Sequence, residues 1–190
     1  MSSTATAELV LQARGGSAAA LDALYARAAR KLLPLIRIRL GAGLRDRLES
    51  RDILQAALLR SFEKLDSFHN ERSASFMAWL ARIAENEIRD QADFHGRERR
   101  DVGQEAPLEA AAAVPQPVRS ALSQALLAEQ NERLERALET LSAEQREVIL
   151  LRKLEELSFA EVGERMARSA DAARMLFARA MAALTLKLGA

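Results

Sequence analysis

The chain of 190 residues contains no cysteine, which excludes disulfides, thiolate metal sites and cysteine nucleophiles. Aromatic residues make up only 4% and prolines number four, while Ala, Leu, Arg and Glu abound. That balance favours helices over sheets. No run of eighteen apolar residues and no basic-then-apolar leader occurs, so neither a membrane span nor a signal peptide is expected and a cytoplasmic protein is. Excess charge is also missing: the net value is +1, too weak for a protein that coats nucleic acid without specificity. What is present is 49% apolar residues, enough for a real core in one domain or two small ones.

The weak net charge hides an uneven distribution. Residues 1–100 hold 17 Lys and Arg against 13 Asp and Glu, and residues 165–190 hold five basic residues against Asp171 alone. This suits a chain that touches nucleic acid at limited patches or is delivered to it by a partner. No catalytic constellation stands out. His69 and His95 are far apart, without a serine-nucleophile motif or metal-ligand spacing, and Gly15-Gly16 and Gly41-Ala42-Gly43 read as turns. No enzyme activity, cofactor or metal is expected.

Hydrophobic spacing predicts helices throughout. Residues 1–7 are small and polar, expected to fray. A helix over 8–31, with an interruption at Gly15-Gly16, places Leu21, Leu24, Tyr25, Ala28 and Leu32 on one side; Pro34 should break or restart it, and Leu35 to Leu40 carry it to Gly41. The next opens near Ser50 and buries Ile53, Leu54, Ala57, Leu58, Phe62 and Leu65. After a polar loop over 66–75, capped by Ser73 or Ser75, a helix with Phe76, Trp79, Leu80, Ile83 and Ala84 inward runs to about His95. Residues 101–125 hold Pro107, Pro115, Pro117 and an alanine run, a linker signature. The remainder resumes with Leu127, Leu134, Leu138 and Leu141. Ser142 to Gln145 then forms a capping box ahead of Val148, Leu151 and Leu154.

The last thirty-odd residues are the most informative. Ser158 and Glu161 have capping-box spacing, and Ser169 is placed to cap a longer helix whose Ala173, Leu176, Phe177, Ala180, Leu184 and Leu188 share one face. A short capped helix, a tight turn and a longer capped helix make a helix-turn-helix, which delivers the start of its second helix into a major groove.

Two segments, in order, resemble one family. Arg51-Asp52-Ile53-Leu54-Gln55 followed by Ser75-Phe76-Met77-Ala78-Trp79-Leu80-Ala81-Arg82-Ile83-Ala84-Glu85-Asn86 resembles region 2 of extracytoplasmic-function sigma factors. Leu141 to Val148, Leu157 to Val162 and Ser169 to Ala180 are similar to the lead-in and helix-turn-helix of that family's region 4. The resemblance implies an all-α chain of two small helical domains: region 2 over 8–100, a flexible linker over 101–126, and region 4 over 127–188. It further implies a dissociable promoter-specificity subunit that binds bacterial core RNA polymerase and promoter DNA, with an anti-sigma factor as a frequent further partner and no membrane insertion. In the family, region 2 docks on the polymerase clamp and opens the −10 element, region 4 reads the −35 element, and the linker threads toward the catalytic cleft.

Carried onto these residues, the resemblance assigns the clamp contact to Asp52 and Gln55, with Leu59 and Arg60 beside them off the apolar face. The loop holding Phe68, His69, Asn70 and Arg72 is where the family captures an unpaired −10 base, which needs amide donors and a flat group for stacking. Arg82, Asn86 and Arg89, spaced four and three, present two guanidinium groups and an amide to a single strand, whereas Trp79 shares its period with Phe76 and Ile83 and reads as core. In region 4, Arg165 and Arg168 at the turn are expected on phosphates. Ser169, Ala172, Arg174, Met175, Ala178 and Arg179 form the reading face, in which Arg174 and Arg179 are the best base or phosphate contacts. Its apolar members point to readout by shape or thymine methyl groups. Two other classes fit a helix-turn-helix alone: a stand-alone dimeric regulator on a palindrome, and an adaptor that binds only protein.

Overall fold

The computed structural model describes residues 2–45, 48–68, 75–98, 115–127 and 132–189. Every regular element among them is helical. Helices α1 (Ser2–Arg14), α2 (Ala18–Arg45), α3 (Ser50–Glu63) and α4 (Phe76–Glu98) build the first domain. Then follow α5 (Gln116–Leu127), α6 (Glu132–Glu139), α7 (Ala143–Ile149), α8 (Phe159–Arg165) and α9 (Ala170–Gly189).

Helix α2 is the axis of the molecule. Leu24, Tyr25, Ala28, Ala29, Leu32, Leu33, Leu35, Ile36, Ile38 and Leu40 are all buried, more than one stripe of a helix can hold. It packs on α1, α3, α4, α5 and α6. This burial explains two departures from the sequence reading. The chain runs through Pro34 without a break, because the packing of buried Leu33, Leu35 and Ile36 offsets the lost N–H bond and the ring's crowding of the preceding turn. Gly41, at φ 60°, is where α2 kinks, close to the expected stop. Residues 2–7, expected to fray, are helical: Thr6 is buried and Val10 and Ala13 join the core, so docking on α2 supplies what local propensity does not.

Most expected helix starts carry the expected caps. The Ser142 hydroxyl accepts from the Gln145 N–H and the Gln145 side chain accepts from the Ser142 N–H, a complete capping box. Ser75, of the two candidate caps, accepts from the Ala78 N–H. Of the stretch expected as linker, residues 101–114 lie outside the described residues. Residues 116–127 form α5, whose Val118 and Ala121 are fully buried against α2 and α3. Small residues let this helix lie close, and an alanine-rich, Pro-flanked sequence conceals that. The two helical domains pack against each other, with α2 shared between them.

One turn after α7 is wound as a π-helix, Leu150–Leu154, in which the Glu155 N–H reaches back to the Leu150 carbonyl at 3.0 Å. The turn that follows puts Glu156 at φ 62°, a left-handed conformation that is uncommon outside glycine. The extra residue aims both glutamates inward: Glu155 is completely buried and Glu156 nearly so.

Candidate nucleic-acid interface

The helix-turn-helix is built from local bonds the sequence announces. In α8 the Ser158 N–H donates to the Glu161 carboxylate at 2.7 Å, and the Glu161 N–H donates to the Ser158 hydroxyl at 3.3 Å. The helix closes with Arg168 N–H on the Gly163 carbonyl at 2.8 Å and Ala167 N–H on that of Glu164 at 3.3 Å, a Schellman pair with Ala167 left-handed at φ 53°. Ser169 then caps α9 through the Ala172 N–H. The inner face of α9 is as expected, with Ala173, Leu176, Ala180 and Leu184 buried and Phe177 edge-on to Phe159 at 5.7 Å.

Ser169, Arg174, Met175, Ala178 and Arg179 are exposed on the opposite face and Ala172 is half-buried. Arg174 is not an isolated cation. Its guanidinium donates to Asp171 at 2.6 Å and lies 5.4 Å from the centre of the Phe159 ring. Asp171 thus orients the arginine along the helix and partly neutralises it. Arg168 bonds Glu144. Arg165, exposed at the turn, reaches α4, with both Glu85 oxygens within 3.2 Å. Charge complementarity with α4 outweighs solvation there.

In the first domain Arg82, Asn86 and Arg89 stand exposed on one face of α4, with Arg89 donating to the Asn86 side-chain amide oxygen at 3.4 Å. His69, Asn70 and Arg72 lie outside the described residues. Phe68 corrects the expectation of a stacking group. It is buried, 5.6 Å from Phe76 and 4.9 Å from Trp79 between ring centres, so its faces are taken by the core. The cluster anchors the loop's first end, and Arg14 of α1 clamps that end by donating to the carbonyls of Phe68 and Asp66 at 3.2 and 3.3 Å. Nothing in the spacing of Arg14 announces this. Tyr25 completes the cluster; burial raises its phenol to about 12 despite the Ser61 hydroxyl, which donates to its oxygen at 3.2 Å, so it stays neutral.

On α3, Asp52 is exposed and Gln55 half-buried. Leu59 is partly buried against the core, and Arg60 is tied to α4 through Glu87 at 2.6 Å and Asp90 at 3.7 Å. Arg60 remains half exposed at 50%, so these ion pairs leave it within reach of a partner. Sequence reasoning also missed Arg146, which caps the C-terminal end of α6 by donating to the carbonyls of Leu138, Glu139 and Leu141 at 3.0–3.2 Å. Its place in the Leu141-to-Arg146 lead-in was the available signal.

Glu155 sits where the two domains meet. Burial pushes its carboxyl above the ordinary range; Arg165 draws it down, Glu85 pushes it further up, and Arg39 draws it down. The folded state therefore holds this proton more tightly than the unfolded chain. Glu155 supports folding most below the ordinary carboxylate pKa, and that support is lost as pH rises through the raised value. Glu155→Gln should accordingly gain stability relative to the parent as pH rises above the ordinary carboxylate range, and run level once pH has passed the raised value. Denaturant midpoints measured across that range check this; a difference that shrinks with rising pH would contradict it.

Exposed arginines thus stand on two helices of a two-domain helical protein, one of them the second helix of a helix-turn-helix. Comparison with known families then places it. Residues 23–115 match the Sigma-70 region 2 model and residues 131–184 match the Sigma-70 region 4 model. The chain belongs to the sigma-70 family. A similar relative is the probable RNA polymerase sigma factor RfaY of Xanthomonas campestris pv. campestris, 35% identical over 139 residues, 73% of this chain. The match spans 34% of that relative's length. Among solved structures, the sigma factor RpoE in complex with the anti-sigma factor NepR from Bartonella quintana is similar at a TM-score of 0.48 and 23% identity, covering 87% of this chain and 92% of that one. CnrH in complex with the cytosolic domain of CnrY is similar at 0.47 and 24%, covering 97% of each. Among the described residues no helix is long and apolar enough to cross a membrane.

Proposed function

We propose that the protein is a promoter-specificity subunit of bacterial RNA polymerase, of the extracytoplasmic-function type, acting in the cytoplasm. In this reading residues 8–100 bind core polymerase and open the −10 element, 101–126 connect, and 127–188 read the −35 element. The observation that carries it is the ordered match of both sigma-70 regions on one chain, with basic exposed faces on α4 and α9. Arg82, Asn86 and Arg89 face the single strand and its phosphates. The loop of His69, Asn70 and Arg72 receives the unpaired base. Arg174 and Arg179 take base edges or phosphates, while Met175, Ala172 and Ala178 offer methyl and methylene contact to thymine. An anti-sigma factor belongs to the same proposal as the family's usual inhibitor. The chain supplies positioning and melting contacts, and the chemistry is the polymerase's.

Run-off transcription with core polymerase on a genomic library tests this. Transcripts starting at a shared pair of upstream elements are the expected result. No transcript above core enzyme alone, with tight binding of the free protein to a palindrome, would favour the stand-alone regulator. The clamp contact is tested apart from promoters. Asp52→Ala with Gln55→Ala should weaken core binding at least about tenfold, or about 1.4 kcal/mol, with helicity and melting unchanged. Equal recovery of the variant and the parent in a core-polymerase pull-down would refute the assignment.

A further inference from the structure

The first turn of α9 carries an acid where a helix that meets DNA has least use for one. Asp171 is the second residue of the helix, among those a helix-turn-helix sends to the base edges, and its side chain is 85% exposed. A carboxylate there is favoured by the helix dipole but repels the DNA backbone. Its pair with Arg174 at 2.6 Å is exposed on both sides and adds little to stability, so its effect falls on the arginine.

Two independent holds act on that guanidinium. Its Nη1 donates to Asp171 Oδ1, and its Cζ lies 5.4 Å from the centre of the Phe159 ring, within cation–π range. The ring is itself fixed, edge-on to Phe177 at 5.7 Å, with the Arg152 guanidinium 4.9 Å from its centre. Arg152 in turn donates to the Leu157 carbonyl at 3.1 Å. A loose arginine samples many rotamers and swings readily to a phosphate. Held at one terminal nitrogen and over one ring, Arg174 keeps a single direction while its remaining N–H groups stay available to a base. Such a fork fits the two acceptors that guanine shows in the major groove. Arg179, also exposed on α9, has neither hold among the described residues.

We propose that Asp171 is a specificity-determining residue: together with Phe159 it sets Arg174 on a guanine of the upstream element and keeps it off the phosphates. The inference rests on the promoter reading, which assigns α9 to that element but leaves Arg174 a choice between base edge and phosphate. The carboxylate removes the choice in two ways. It fixes the direction of the fork, and it offsets part of the charge that draws a mobile arginine to the backbone. The consequence is lower affinity for DNA of any sequence and a sharper preference at one base pair.

The test uses the full chain with core polymerase, selecting from duplex DNA randomised across the upstream element. The parent should prefer one G·C pair at least about fivefold over the alternatives, and Arg174→Ala should erase that preference. Asp171→Asn and Phe159→Leu should each remove most of it, at unchanged helicity and with preferences at the other pairs intact. In the Arg174→Ala background, Asp171→Asn should change nothing further at that pair. If Phe159→Leu fails to fold, Asp171→Asn, an exposed isostere, carries the test. The free chain on random-sequence duplex gives a second readout. There Asp171→Asn should bind more tightly, with a salt slope steeper by about one as the released arginine takes a phosphate. A selected motif without that guanine, a guanine preference that survives Asp171→Asn, an unchanged salt slope, or a carboxylate effect that persists without Arg174 would overturn the proposal and leave the promoter reading standing. A parent that selects no upstream motif would remove both.

Discussion

Gly163→Ala should unseat the recognition helix. An alanine in place of a helical glycine ordinarily gains about 1 kcal/mol, because glycine loses more backbone freedom on folding. At Gly163 the sign reverses. A Cβ there would lie 2.6 Å from the Arg168 carbonyl oxygen, 3.1 Å from the Ser169 carbonyl carbon and 3.2 Å from the Ala170 nitrogen. All three are backbone atoms of the turn between α8 and α9, so no side chain can rotate aside. The turn must move, and with it go the Schellman bond from Arg168 and the Ser169 cap. The expected cost is about 1–3 kcal/mol, as for other overpacked sites. For a domain of this size that lowers the melting temperature by roughly 4–8 °C per kcal/mol. Loss of −35 binding should exceed the loss of fold, since the displaced part is the start of α9. Ala167→Gly, which relaxes the left-handed position two residues before Ser169, should stabilise the same turn. A Gly163→Ala protein melting at or above the parent would show that the turn has slack the structure denies.

The parts of this fold that were legible in sequence are those fixed by neighbours a few residues away. Ser142 with Gln145, Ser158 with Glu161, Ser75 and Ser169 announce helix starts by spacing alone, and all four caps form. The buried face of α9 follows from its three-and-four repeat in the same way. Residues whose role depends on a distant partner were not legible. Pro34 reads as a break until α2 is seen to be buried from several sides. Val118 and Ala121 read as linker until α5 is seen against α2. The charged residues show the limit most clearly. Glu87, Glu155 and Glu156 look like parts of solvated helix faces, yet all three are buried. A carboxylate's spacing carries no mark of the guanidinium eighty or more positions away that allows its burial, as for Arg39 with Glu155. The π turn adds to this, since one extra residue rotates everything after it relative to an ideal helix.

The same hidden pairing governs Arg60, and its removal should destabilise the first domain in a pH-dependent way. Glu87 is almost fully buried and its Oε1, 2.6 Å from Arg60 Nε, makes no well-aligned hydrogen bond, so charge alone compensates it. Burial pushes the Glu87 carboxyl up; Arg60 draws it down, Asp90 pushes it up and Lys64 draws it down. Taking away the guanidinium leaves a buried charge with its strongest counterion gone. Breaking a fully buried pair costs about 3–5 kcal/mol, but the Arg60 side chain is half exposed, at 50%, and solvent screening reduces the expectation to about 1–2 kcal/mol. The sign with pH follows from the raised Glu87 value. In Arg60→Ala that value rises further, so the folded state binds the proton more tightly than the unfolded chain. The deficit should be largest above the raised value and should shrink as acid protonates Glu87. Glu87→Gln in the same chain should restore most of the stability at neutral pH, because a neutral amide needs no counterion. Core-polymerase binding should return with it, since Arg60 acts by fixing α3 on α4. A double variant that is stable yet still fails to bind core would instead return Arg60 to the clamp contact itself.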